Sequence, residues 1–416
     1  MKILYDCFSC SPYYGSDEGI GWNWPFYMRK HHEVWVLVRN DRKHDIDKYC
    51  KEHEIDDIHF VYCDIPEWMN FYYKNLKKGK NGTLDFLLYQ LMWQFPAYYT
   101  AKRLHKIEHF DLVHHVSTND FRLIGRLHRL GIPYILGPIG GAQKTPVALK
   151  EYTLGHEKSE KLRLLLNFVM TMLPGYKKAL NTAEKIYFSN KETFQYLESK
   201  IKNKEKCELM TEIAYAERNV KKINTLKHSE EKTIFLWSGR MEYRKGLALL
   251  FEALEYLPLN EKWKLILCGT GSESENYHKQ IAESVYADYV YFTGQISYDE
   301  MQAMYNKADV FVFPSLRETT GTVIIEAMAH SLPVICLNQG GGALVVTAQT
   351  GFLVNGQSKI EYVKNFANAM IECIDNFQLV QEKGQEAQKR ILKFYTWEDK
   401  IKKMNEIYNH INEKIS

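Results

Sequence analysis

Long hydrophobic runs are missing from this sequence. No segment offers about 18 consecutive apolar residues, so no membrane-spanning helix is expected. Met1-Lys2 leads straight into the short strand-like run Ile3-Leu4-Tyr5, without the apolar stretch and cleavage site of a signal peptide. Charge of one sign is also scarce. Lys+Arg number 54 and Asp+Glu 51, and a net +3 is too mild for nucleic acid binding through bulk charge. Cysteine is sparse, with eight residues scattered over 416, which reads as reduced thiols in a cytoplasmic protein rather than a disulfide framework. Repeats of about 20–50 residues and low-complexity segments are absent, which excludes solenoids and disordered tracts.

What is present is core material. Hydrophobic residues make up 45% and aromatics 13%, enough to fill two or three domains. In the first half, strand-like runs at 2–5, 33–38, 58–63, 112–116, 133–136 and 185–189 alternate with segments long enough for helices. The second half repeats the theme at 233–238, 263–268, 289–293, 310–314, 333–337 and 351–354. Such alternation predicts an α/β protein of two doubly wound, Rossmann-like parallel sheets, whose strand ends bind ligands. The polar, Lys-rich stretch 216–232 marks the boundary. Two stretches depart from the alternation. One, 68–109, is rich in Tyr, Phe, Trp and Lys. The other, 158–185, sets Leu162, Phe168, Met172 and Leu173 among basic residues. Both suit amphipathic helices packed on the first domain, or a basic and apolar surface that touches a membrane or a lipid-linked acceptor.

Several motifs carry no chemistry. Cys7-Phe-Ser-Cys10 has no second pair to complete a zinc site and reads as two buried thiols. His31-His32 and His114-His115 are neighbours, which in a strand point to opposite faces. Asp45-Ile-Asp47 lies in a polar helical stretch and reads as a solvated face. The sequon Asn81-Gly-Thr83 has no meaning in a cytoplasmic chain. No metal site is expected.

A stronger constellation occupies the second half. The strand at 233–238 runs into Gly239-Arg240, and Lys245-Gly246 follows before a helix. Arg offers a planar fork and Lys a point charge to an anionic ligand. The strand at 310–314 leads to Glu318-Thr-Thr320-Gly321-Thr322 and then a helix bearing Glu326. Free N–H groups at that helix start favour a phosphate. A carboxylate such as Glu326 can accept bonds from two vicinal hydroxyls.

Taken together, Ser238-Gly-Arg240…Lys245-Gly246 and Glu318-x7-Glu326 resemble the retaining GT-B glycosyltransferases of the family 4 type. Gly15-Ser-Asp-Glu-Gly19-Ile-Gly-Trp22 and Gly137-Pro-Ile-Gly-Gly141 resemble glycine loops of the branch that builds bacterial polysaccharides and lipid-linked glycans. Gly340-Gly-Gly342, Thr350-Gly-Phe-Leu-Val354 and Phe394-Tyr-Thr-Trp397 resemble later family landmarks. The resemblance implies an acceptor domain at 1–216 completed by a C-terminal helix at 396–416, and a nucleotide-sugar domain at 217–395, facing a central cleft.

It also implies residue roles. Arg240 and Lys245 bind the donor diphosphate and stabilise the leaving group, and Glu318 contacts the donor sugar. Glu326 holds the ribose, and Thr320, Gly321 and Thr322 supply backbone N–H groups. Gly239, Gln295 and Ile296 line the donor site, the latter two at the base. Gly15 and Ser16 approach the diphosphate from the first domain. A cleft histidine at the end of the fourth strand is assigned to His115, with His114 as the other register. Relatives often carry an acid after the late glycines, where this chain has Ala343-Leu-Val-Val346.

The implied reaction moves a hexose-type sugar from a nucleotide-diphosphate sugar, with UDP favoured, to a hydroxyl of a glycan or lipid-linked acceptor. Configuration is retained, and no metal or other cofactor is required. Peripheral membrane contact would run through 158–185, at the inner face of the membrane. The competing reading is a catalytically silent subunit that stabilises a partner transferase.

Overall fold

Runs rich in Val, Ile, Leu and aromatics form the strands of two parallel sheets in the computed structural model, which describes residues 1–76, 82–216, 232–260 and 262–414. The Lys-rich boundary stretch 217–231 and Asn81 of the sequon lie outside the described residues.

The first sheet has seven strands in the order β3-β2-β1-β4-β5-β6-β7. They are β1 (Lys2–Asp6), β2 (Glu33–Arg39), β3 (Ile58–Cys63), β4 (Leu112–His115), β5 (Tyr134–Ile139), β6 (Lys185–Phe188) and β7 (Cys207–Leu209). The second has six, in the order β10-β9-β8-β11-β12-β13. These are β8 (Thr233–Ser238), β9 (Trp263–Cys268), β10 (Val290–Gly294), β11 (Val310–Phe313), β12 (Val334–Leu337) and β13 (Gly351–Val354). Every pairing is parallel, and β4, β11 and β12 are buried along their whole length, as strands covered on both faces must be. In both sheets the order reverses beside the first strand, between β1 and β4 and between β8 and β11.

The chain divides into two units, and not at one point along the sequence. Residues 1–142, 163–212 and 400–416 form the first, and residues 143–162 and 213–399 the second. Beside the expectation of 1–216 completed by 396–416, against 217–395, the segments that differ are 143–162, 213–216 and 396–399, which stand with the second unit. Leu149 is fully buried in the second unit's core, beside Phe235, Trp237 and Val312. Glu151 in the same stretch binds Lys359 at 2.8 Å.

The helix Trp397–Glu413 delivers Tyr408 into the first unit. The Tyr408 hydroxyl lies 2.9 Å from that of Tyr5 on β1. Lys400, fully enclosed, donates to Thr211, and burial lowers its pKa to about 7.

The two irregular stretches resolve differently. Within 68–109 the helix Gly82–Glu108 buries Trp93, Ala97 and Ala101 in the first unit's core. Within 158–185 the helix Glu157–Met172 leaves Phe168 59% and Met172 60% exposed. Cys7 and Cys10 are free, buried thiols whose pKa burial pushes up, so neither is a reactive thiolate. Asp47 accepts from Tyr62 at 2.6 Å on an exposed helix face. Among the described residues no helix is long and apolar enough to cross a membrane.

Candidate functional site

Ligands of doubly wound sheets gather outside the strand C-termini where strand order reverses. In the second unit that place lies between the loops that follow β8 and β11. The two loops interlock at Gly246, which has φ +74°. A Cβ there would stand 2.0 Å from the Pro314 carbonyl oxygen, so only glycine lets the loops close.

This closure sets Lys245 against Glu318. The Lys245 Nζ donates to Oε2 of Glu318, and Nη1 of Arg244 lies 3.6 Å from the same oxygen. Burial opposes ionisation of Glu318. Lys245 and Arg244, together with the Thr319 N–H, outweigh it and hold the carboxyl below its ordinary range. A second glycine loop cradles the backbone behind this pair. A Cβ at Gly340 would come within 2.4 Å of the Glu318 carbonyl oxygen, and one at Gly341 within 2.1 Å of the Thr320 Cα. Gln143 donates to the Glu318 carbonyl at 2.8 Å, another tie from 143–162 to the second unit.

The other sequence-predicted residues take distinct places in this unit. Arg240 is 71% exposed, and its guanidinium reaches Glu242 at 3.0 Å rather than joining the Lys245–Glu318 pair. Thr320 is fully buried, and Gly321 caps the helix Thr322–Ala329. Glu326 on that helix accepts from the Tyr305 hydroxyl at 2.9 Å. Burial raises its pKa, and the Tyr305 bond offsets part of the rise. Gly239 follows β8, its N–H bonded to the Cys268 carbonyl at 3.0 Å. At the end of β10, the Gly294 carbonyl accepts from Gly269 at 2.8 Å, and the following Gln295 is exposed beside half-buried Ile296.

Sequence reasoning missed Arg244 and a clamp beside it. Tyr243 donates to Glu160 at 2.6 Å, Arg317 reaches Glu160 at 2.5 Å and the Tyr243 oxygen at 3.0 Å, and the His156 ring stacks on Tyr243 at 3.9 Å. Tyr243 and Arg317 adjoin the loops of Lys245 and Glu318 in the chain, and that adjacency was the available signal. Glu160 and His156 gave none, because their partners are remote in sequence.

Gly15, Ser16 and His115 belong to the first unit. Gly15 is exposed with open space where a Cβ would stand, and Ser16 adopts φ 54° at the start of the helix Ser16–Met28. The two histidines of β4 do point to opposite faces. His114 is fully buried between the Tyr408 hydroxyl and the Gly137 carbonyl at 2.7 Å, and burial lowers its pKa to about 3. His115 is 3% exposed. Its Nδ1 lies 2.7 Å from Asp6 and its Nε2 3.1 Å from the Leu123 carbonyl. His115, expected as the cleft histidine, is thus a ring held on both nitrogens. Among the described residues no three His, Cys, Asp or Glu side chains stand together as metal ligands.

Cations and helix N–H groups at a strand end can bind and stabilise a diphosphate. Comparison with known proteins agrees with that chemistry. Residues 219–390 match the family described as Glycosyl transferases group 1. A curated relative, the putative glycosyltransferase YtcC of Bacillus subtilis, is 27% identical over 44% of this chain and 46% of its own. The chain spans less than half the length of the curated relatives it matches. Among solved structures, sucrose-phosphate synthase of Thermosynechococcus elongatus superposes with a TM-score of 0.65 at 18% identity, covering 99% of this chain and 98% of that one. Anabaena Alr3699/HepE, solved in complex with UDP-glucose, gives 0.59 at 16% identity over 97% and 99%. Likeness at this identity establishes the fold, two Rossmann-like domains of the GT-B type.

Proposed function

From a chain that carries a glycosyltransferase group 1 domain, we propose a retaining transferase. It moves a hexose-type sugar from a nucleotide-diphosphate sugar, with UDP favoured, to a hydroxyl of a glycan or lipid-linked acceptor in surface polysaccharide synthesis. The observation that carries this reading is the Lys245–Glu318 pair at the reversal point of the second sheet, with a helix that begins four residues beyond, at Thr322. The UDP-glucose bound to Alr3699/HepE supports the choice of donor.

Cleaving the sugar–phosphate bond develops negative charge on the departing diphosphate. Lys245, held in place by Glu318, stabilises that charge most in the transition state, which is what accelerates the step. Arg240, exposed and paired only with Glu242, folds over the same diphosphate once the donor is bound. Glu318 meets the sugar hydroxyls, and Glu326 accepts from the ribose in place of Tyr305. No carboxylate nucleophile is assigned; the leaving diphosphate takes the acceptor proton, and Lys245 and Arg240 balance its charge in place of a metal ion. His115 acts by holding the loop at Leu123 rather than as a base.

Nucleotide release from UDP-, GDP-, ADP- and dTDP-sugars, measured in EDTA without acceptor, tests the reading. Slow release from the UDP-sugar, absent in Lys245→Ala, is expected. Binding of none of the nucleotides would overturn the donor site, and strict dependence on a divalent cation would overturn the metal-free mechanism.

A further inference from the structure

The first unit holds a cavity of about 60 Å³ that the proposed donor chemistry does not use. Arg122, Arg126, His128 and Arg129 line it, together with Met170 and Leu173. Arg122 is committed to Asp120 through a fork at 2.5–3.0 Å. Arg126 and Arg129 have no ion-pair partner among the described residues, and Lys178 lies near enough to His128 to repel its charged form. The Arg126 guanidinium rests on the Phe95 ring at 3.7 Å, which holds it in place without neutralising it. His128 is 5% exposed, and its ring has a weak backbone partner at Gly125 and no side-chain hydrogen bond on either nitrogen. Burial and the charges of Arg129, Lys178 and Arg126 hold its pKa at about 4, so the ring at neutral pH keeps one N–H donor.

Two arginines without an ion-pair partner and a buried imidazole donor, without a carboxylate to spare, form an incomplete anion site. Phosphate completes it, because its oxygens accept from guanidinium forks and from the imidazole N–H. The surroundings say what bears the phosphate. Met170 and Leu173 lead from the cavity to a helix face where Leu165, Phe168, Val169 and Met172 are exposed. Phe95 and Tyr99 are exposed on the helix Gly82–Glu108, Phe95 being the ring under Arg126. Neighbouring apolar side chains beside an unneutralised basic cavity match an amphiphile with an anionic head.

We propose that this cavity is a phosphate subsite for a lipid phosphate, which the first unit grips by its head while the exposed helix faces meet the lipid. The assignment rests on the acceptor side of the proposed transfer and narrows it to lipid-linked phosphates.

Co-sedimentation of the full chain with phosphatidylcholine vesicles, with and without phosphatidic acid, tests it in the absence of any donor. Phosphatidic acid should raise binding strongly, and Arg126→Gln/Arg129→Gln should lower the partition coefficient about 30-fold, at roughly tenfold per 1.4 kcal/mol and about 1 kcal/mol per basic residue. Arg129→Gln alone, an exposed position, should lose about fivefold and guards against misfolding of the double variant. Lys158→Gln/Lys161→Gln removes equal charge from the neighbouring helix and should cost less than the Arg pair. Equal loss in both double variants would reduce the effect to diffuse attraction and overturn the subsite. Inorganic phosphate bound tightly without vesicles, with no gain from phosphatidic acid, would overturn the lipid source. Donor binding measured on the same variants keeps the two readings apart. UDP affinity that survives in Arg126→Gln/Arg129→Gln while vesicle binding is lost supports both.

Discussion

Each sheet places an acid and a base at its point of reversal, and the two pairs have opposite fates. In the first unit Asp6 and His115 meet with both side chains 3% exposed. Gly125 presses so near that an added Cβ would lie 2.7 Å from the ring. In the second unit Lys245 and Glu318 meet at 14% and 19% exposure, with Arg244 alongside and the start of a helix beyond. The fold supplies the position twice, and the loop decides whether a ligand can reach it. The loop after β4 folds back so that Leu123 caps the ring, whereas the loops after β8 and β11, joined at Gly246 and through Lys245–Glu318, leave the charged pair partly exposed. A charged pair at a strand end is thus a site only where its surroundings leave it open.

The comparison can be broken most directly by Lys245→Ala. Removing an electrostatic donor of this kind is expected to lower turnover by about 10²–10³, roughly 3–4 kcal/mol of barrier, with a smaller loss of stability because Arg244 still faces Glu318. Asp6→Ala should do the reverse, destabilising by about 1–3 kcal/mol because a buried ring nitrogen loses its partner. Calorimetry beside steady-state kinetics on both variants decides the matter, and a stable but inactive Asp6→Ala would erase the distinction drawn here.

Glu326→Gln sharpens it within the second unit. Affinity for bare UDP should fall about tenfold, as for one charged hydrogen bond of about 1.5 kcal/mol, with a smaller change in turnover at saturation.

The smallest effect concerns acid. Glu318 has its pKa lowered in the fold, so its contribution to stability is present above the unfolded carboxylate range and is lost as pH falls through the folded value. Glu326 has its pKa raised, so its ionisation opposes folding at neutral pH, and that opposition is relieved as pH falls through its folded value. Glu318→Gln should flatten the acid limb of a stability–pH curve and Glu326→Gln should steepen it. Parallel curves would show that the two carboxylates sit in equivalent surroundings.

Much of the fold was legible because parallel strands buried on both faces write themselves as apolar runs. Ile58–Cys63, Thr233–Ser238, Trp263–Cys268 and Gly351–Val354 stand at the expected limits. The edge strand Cys207–Leu209 escaped because three half-buried residues, Cys-Glu-Leu, carry no pattern. In the candidate site, the glycines and charges after β8 and β11 were legible as a set, since loop glycines and strand ends leave local marks. The pairing of Lys245 with Glu318 was not, nor was the closure of His115 by Leu123, because both depend on contacts made only after the sheets form. The placement of 143–162 was hidden for the same reason. It rests on Leu149 entering a distant core and on Glu160 meeting Tyr243 and Arg317.

The discontinuous division of the chain has a consequence for how the protein is made. The first unit needs residues 400–414, which bring Tyr408 to Tyr5 and His114, whereas the second is composed of segments that end at 399. During synthesis the later-encoded unit can therefore finish before the earlier one. A chain halted near residue 395 would leave the Tyr5 and His114 side chains without their bonding neighbour, at the centre of a sheet whose other strands already exist. The half of the protein that emerges first is the half that has to wait.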